Sequence, residues 1–279
     1  MSASLADPRR DLGVLARLPD EAIDLAEAGL ALAALDHPRR DRADYRTMLA
    51  EMGAAVARRA GRAETAAERA ELLAGVLAGD YGLVGDDRDD DDLDDGDLMQ
   101  LLDRRRGPPL TIGLVWLHVA RCQGWPAEPL TFPGPFLLRL TGAVGERVII
   151  DPFRGGWRLD SVALRELLKA RSGAAAELTP EHYATLSNRA LLLRLQTTRK
   201  LRCLRHAQLA RAVAAVEAAL LFAPDQAPLW REAGMMHLRQ GNLPAAIAAL
   251  EQFVARAPNS QVRHRTCVLL QDLRRRLAD

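Results

Sequence analysis

Along the chain, stretches with apolar residues at helical spacing alternate with short breaks rich in Gly, Pro and Asp. Residues 1–18 hold no sustained apolar period and are expected to form a flexible lead-in. Pro19-Asp20-Glu21 can open a helix running to about Ala34, and Asp36-His37-Pro38 stops it. Tyr45–Arg59 reads as an amphipathic helix, with Met48, Leu49, Met52 and Val56 at helical intervals. Thr65–Leu77 reads as another. Gly79–Asp97 is an aspartate-dominated loop, and Asp97–Arg105 is a short helix carrying Leu98, Leu101 and Leu102.

From Leu110 to Cys122 the pattern changes. Leu110, Ile112, Leu114, Val115, Trp116, Leu117, Val119 and Ala120 leave almost no polar face, so this helix is expected at the centre of a domain. Thr111, His118 and Cys122 form its narrow polar stripe, and Gly124 closes it. Two strands are expected next. The first is Leu130–Leu140, interrupted by Phe132-Pro133-Gly134-Pro135-Phe136; the second is Arg147–Ile150, ending on Asp151-Pro152-Phe153. Gly155-Gly156-Trp157 turns the chain, and Ser161 can cap a helix over Val162–Ala170. From about His182 onward the chain reads as helix.

The end of the chain carries a repeat. Trp230, Ala233, Gly234, Gly241, Ala246 and Pro258 stand at the intervals of a tetratricopeptide (TPR) unit, whose period is about 34 residues. One period earlier Ala212 and Pro224 take the places of Ala246 and Pro258, so Arg202–Pro224 resembles the second half of a preceding repeat. Gln261–Leu277 is expected as the capping helix.

Composition narrows the function classes. Aromatic residues make up 4% of the chain, which favours helix packing over a large sheet. A net charge of +1 gives no bulk attraction for a polyanion. Lys169 and Lys200 are the only lysines, so arginine clusters reflect overall residue usage more than a dedicated role. The stripe Arg199, Lys200, Arg202, Arg205 lacks interleaved aromatics, and no nucleic-acid partner is expected. Cys122, Cys203 and Cys267 are too few and too scattered for a disulfide framework, which fits a reducing cytoplasm. Met1–Leu18 has no apolar core of a signal peptide, and no run of about 18 uncharged apolar residues suggests a membrane span.

Metal and cofactor signals fail on spacing. With Gly96 at the sixth position of a calcium-binding loop, Asp91 and Asp95 fit, but Leu93 and Leu102 stand where carboxylates are needed. His264 and Cys267 have no further ligands nearby. No phosphate-cradling glycine loop is present, so neither metal nor cofactor is expected.

Several motifs in fixed order resemble the bacterial SirB-type family, a transglutaminase-like domain followed by TPR helices. They are Glu27-Ala28-Gly29-Leu30, Asp36-His37-Pro38, Leu101–Thr111, Val119–Gly124, Phe132–Arg139 and Ile150–Gly156. The resemblance implies a mostly helical α+β fold: a transglutaminase- or papain-like core of helices and a small antiparallel sheet over residues 19–190, then TPR-like helices over 191–279. It also implies a thiol-type site, with a Cys opening the central helix, a His on the first strand motif and an Asp on the second. The Cys position falls near Pro109–Thr111, where the family usually carries a Ser or Thr, matched here by Thr111. The family's His falls between Gly134 and Phe136, and this chain has Pro135. Asp151 matches the Asp.

Thiol chemistry needs a thiolate and a neighbouring imidazole. Pro109 and Leu110 offer no nucleophile, the Thr111 hydroxyl needs a base, and Pro135 cannot supply one. His118 and Cys122 share a face, but Cys122 sits at the helix C-terminus, where the dipole opposes a thiolate. Asp151 is expected to cap the Pro152 turn or to pair with Arg139 or Arg154. The expected function is therefore a non-catalytic interaction or regulatory protein, a degenerate transglutaminase-like scaffold whose TPR helices bind a protein or peptide. The alternative is a hydrolase or acyl transferase with a rearranged site using Thr111, His118 or Asp151. Trp116, His118, Phe136, Phe153, Trp230 and His237 are candidate cleft or interaction residues.

Overall fold

The computed structural model describes residues 7–61, 63–86 and 97–278. The chain divides into two compact units, one of residues 24–191 and one of residues 7–23 together with 192–278. The first helix, α1 (Pro8–Leu15), belongs to the second unit. The expected loose lead-in is thus a capped helix over those residues. Asp7 accepts from the Arg9 N–H at 3.0 Å, Pro8 fills the first helical position, and Leu12 is buried. An Asp-Pro pair followed by one anchoring leucine is a complete helix start even where the apolar period is weak.

The first unit is built around one helix. The helix expected over Pro19–Ala34 is instead a 3-10 turn, Asp20–Ala22, followed by α2 (Leu25–Asp36). Asp24 restarts it by accepting from the Ala26 and Glu27 N–H groups at 2.8 and 3.1 Å. The next helix, α3, spans Arg42–Ala60, and α4 spans Ala66–Leu73. Thr65 and Glu68 form a reciprocal capping box on α4, which continues as π-helix over Ala74–Asp80. A two-residue parallel pair, β1 (Val84–Gly85) and β2 (Arg106–Gly107), brackets α5 (Leu98–Arg104). Most of the aspartate run, residues 87–96, lies outside the described residues, and with it the calcium-loop comparison. At its end Asp97 caps α5 and meets His37 at 2.8 Å.

The central helix is α6 (Pro109–Cys122), with ten buried residues, as its unbroken apolar pattern implies. It packs against α2, α3 and α5 and against an antiparallel sheet of four strands. These are β3 (Ala127–Pro129), β4 (Leu138–Thr141), β5 (Arg147–Asp151) and β6 (Trp157–Leu159), in that order. Leu138 pairs with Ile150, and Leu140 with Val148. Leu138, Leu140 and Ile150 are all fully buried. The sequence pattern missed β3 and β6, whose three residues each are too short to show an alternation. The segment between β3 and β4 is largely irregular, with Leu130 bridging to Thr185. On the sheet's other side α7 (Ser161–Ser172), capped by Asp160, buries Leu164 and Leu168 against Leu130, Phe132, Leu137 and Leu159.

The second unit is helical. It takes over inside α8 (Asn188–Arg205) and continues through α9 (Leu209–Phe222), α10 (Ala227–Arg239), α11 (Leu243–Arg256) and α12 (Gln261–Ala278). The TPR positions sit where the motif needs them. A Cβ on Gly234 of α10 would lie 2.6 Å from Leu250 Cγ on α11, so the glycine permits close helix approach. Gly241 takes φ +75° in the turn between these two helices. On α12, Leu270 and Leu273 close the end of the stack against Ile247 and Leu250. The helix α1 lies on α9. Among the described residues no helix is long and apolar enough to cross a membrane.

Candidate functional site

The place to look for a thiol-type site is the start of α6. Pro108 and Pro109 open that helix without a side-chain cap, and Thr111 follows, fully buried. Pro135 stands in the irregular segment before β4, after Gly134 at φ +101°. Immediately after it the Phe136 ring fills the space over Gly113, where a Cβ would overlap the ring. Neither Phe136 nor Trp116 lines a cleft. Both are core residues, 1% and 0% exposed. Trp116 lies against Gly156, whose Cβ would be 2.6 Å from the indole, and its Nε1 is buried with no hydrogen-bond partner among the described residues. Phe153 packs on Gly85 in the same way, at 2.5 Å from a Cβ there.

Asp151 ends β5 and is 4% exposed. Its Oδ1 accepts from the Phe153 N–H at 3.0 Å, and its Oδ2 is 3.9 Å from Arg154 Nε. Burial pushes its carboxyl above the ordinary carboxylate range. The carboxylate therefore holds a turn. Arg139, the other suggested partner, reaches across the sheet to Glu128 at 2.6 and 3.0 Å.

The polar stripe of α6 splits. Thr111 is buried near its start, while His118 and Cys122 meet near its end, with Sγ 3.5 Å from Nε2. On the other side of the imidazole, Nδ1 is 4.0 Å from Asp24 Oδ1. Desolvation lowers the His118 pKa against the opposing pull of Asp24 and Glu27. Desolvation, aided by Asp24, raises that of the Cys122 thiol. These shifts favour a neutral imidazole and a thiol over the imidazolium–thiolate pair that thiol catalysis uses.

Sequence comparison places these features. Residues 43–197 match the model of the transglutaminase-like superfamily, and residues 200–271 match a tetratricopeptide repeat. The chain belongs to the transglutaminase-like superfamily. Relatives include a UPF0162 protein of Vibrio cholerae, 27% identical over 68% of this chain and 70% of that one. Protein SirB1 of Salmonella typhimurium is 28% identical over 70% of this chain and 72% of its own. The SirB-type resemblance carried by the motifs therefore holds. A crystal structure of menin, described as revealing the binding site for the Mixed Lineage Leukemia protein, aligns at 10% identity and a TM-score of 0.41. It covers 91% of this chain and 71% of menin, a likeness too slight to carry an argument.

Each unit of this superfamily member carries a hollow: one of about 790 Å³ lies beside β5 and β6, lined by Arg139, Arg147, Trp157, Arg158 and Tyr183, and a second lies in the TPR unit. The second, of about 520 Å³, is lined by Leu204, Pro228, Arg231, Glu232, Met235, Met236 and Arg239. Arg231, Met235 and Arg239 recur every four residues along α10, a stripe visible in the sequence but hidden among many arginines. Glu232 is held by Lys200 at 2.6 Å. Of the two TPR residues singled out from sequence, Trp230 donates from Nε1 to the Pro224 carbonyl at 2.7 Å, with Arg256 over its ring. His237 is buried and meets Glu217 at 3.1 Å through Nε2. Both serve the packing of the unit.

Proposed function

We propose that this protein is a non-catalytic interaction or regulatory protein in which the transglutaminase-like unit is a scaffold and the TPR unit binds a protein or peptide. The observation that carries this reading is the start of α6. Pro135 replaces the expected base, Thr111 is fully buried, and the Phe136 ring closes over Gly113. An acyl-transfer site needs a nucleophile and a base within hydrogen-bond reach of an accessible substrate. Among the described residues, Thr111, Pro135 and Phe136 at this end of the helix do not make such a pair.

The hollow on α10 supports a partner with apolar and acidic side chains. Met235 and Met236 offer adaptable apolar surface, and Arg231 and Arg239 make no ion pair among the described residues. The test is affinity capture with the full chain, comparing the wild type with the double variant Arg231→Glu, Arg239→Glu. Loss of a reproducible partner from the variant, with unchanged folding, is the expected result. Turnover of glutamine-amide or ester substrates by the wild type, abolished in Thr111→Ala or Asp151→Ala, would overturn the reading.

The second reading, an acyl transferase or hydrolase with a rearranged site, has one observation in its favour: Cys122 Sγ lies 3.5 Å from His118 Nε2. The surroundings work against a nucleophile. The thiol sits at the helix C-terminus beside Asp24, and each of these disfavours a thiolate.

A further inference from the structure

The same surroundings favour a cation. Cys122 and His118 stand one turn apart on α6, the i, i+4 spacing by which two helical side chains share a metal. In a tetrahedral zinc site, bonds of about 2.3 Å to sulfur and about 2.0–2.1 Å to nitrogen put the two ligand atoms about 3.5 Å apart. The Sγ···Nε2 separation here is 3.5 Å. Nε2 faces the sulfur, and Asp24 Oδ1, 4.0 Å from Nδ1, places a negative charge behind the ring.

The fixed charges around the pair point the same way. The last carbonyls of α6 give a partial negative charge, and Asp24 adds a full one. Glu27 carries another, offset by the guanidinium of Arg46 on α3, to which it is tied at 2.6 Å. The nearest basic residue on α6, Arg121, is directed elsewhere, to Asn188 Oδ1 at 2.9 Å and the Ala127 carbonyl at 3.3 Å. Beside Cys122 itself, α3 presents the backbone of Gly53, whose carbonyl accepts from Gln123. Cys122 is exposed, so an ion can reach it from solvent.

We propose that Cys122 and His118 form a two-ligand site for a soft divalent cation of the zinc type, with the Asp24 carboxylate adding negative charge behind the imidazole. The thiol releases its proton to water as the sulfur binds. Among the described residues no third His, Cys, Asp or Glu joins the cluster, so water or a partner's side chain completes the coordination. The inference does not depend on the TPR reading, since both ligands lie in the first unit.

The test is a Co²⁺ titration of the reduced full-length protein, read as thiolate-to-cobalt charge-transfer absorption and competed with Zn²⁺. One ion per chain is expected, with the band absent in Cys122→Ser and binding at least about tenfold weaker in His118→Ala. Asp24→Asn should weaken binding about threefold, through loss of one partly screened charge near the site. Circular dichroism and melting of each variant separate loss of the site from loss of the fold. A band that survives in Cys122→Ser would overturn the proposal by assigning the sulfur to Cys203 or Cys267. Absence of any band at millimolar Co²⁺ would also overturn it.

Discussion

The Phe136 ring occupies the space that a side chain on Gly113 would need, so the segment before β4 and the central helix meet without a gap. This contact lies just past Thr111 and fixes what the start of α6 can do. Gly113→Ala should destabilise the first unit by about 1–3 kcal/mol through overpacking. Phe136→Ala should cost about 3–5 kcal/mol by leaving a cavity. The two changes should not add, because removing the ring removes the clash. A double-mutant cycle from urea unfolding checks this, and strict additivity would show that the two residues are not in contact.

Asp151 predicts a pH dependence. Its carboxyl is raised by burial, so the native protein holds the proton more tightly than the unfolded chain does. Its contribution to stability is therefore present in acid and is lost as pH rises through the raised value. Asp151→Asn keeps an oxygen to accept from Phe153 and carries no charge. At neutral pH the variant should melt at a higher temperature than the wild type. The difference should close as pH falls below the ordinary carboxylate range. A variant less stable at neutral pH would show instead that the Arg154 contact outweighs burial.

Gly234 predicts a cost in the second unit. A Cβ there would press on Leu250 at 2.6 Å and on the Ala246 carbonyl at 3.2 Å. Gly234→Ala should destabilise the α10–α11 pair by about 1–3 kcal/mol, despite alanine's better helix propensity. Native-state hydrogen exchange should show the loss in α10 and α11 and leave α6 protected.

The Trp230 hydrogen bond can be isolated. Trp230→Phe keeps an aromatic face under Arg256 and removes the N–H that reaches Pro224. It should cost about 1 kcal/mol, the usual worth of one hydrogen bond. An effect near zero in thermal melts would mean that water replaces the indole as donor.

The sequence made α6 and the TPR helices legible for the same reason: each imposes a long, strict pattern on many residues. The all-round apolar run of Leu110–Ala120 needs a covering on every side, and Gly234 with Ala246 needs a close-packed partner. The short strands β3 and β6 impose almost no pattern, and so they did not show. The gap in the thiol site was legible residue by residue, since Pro135 cannot act as a base in any fold. What filled the space was not, because the seat of Phe136 on Gly113 depends on a contact between distant parts of the chain. Asp24 escaped notice for a related reason. Its capping of α2 is local, while its position behind His118 depends on how α2 packs on α6.

The place of α1 has a bearing on how the protein can be made and cut. The polypeptide begins the helical unit with α1, builds the whole transglutaminase-like unit, and only then returns to finish what it began. On the ribosome the second unit stays incomplete until α9 emerges, long after its first helix. A fragment starting at residue 192 would carry every TPR motif and still present α9 without the helix that covers it. The repeat that the sequence advertises as a C-terminal module is, in the folded chain, an interrupted domain with another domain inserted into it.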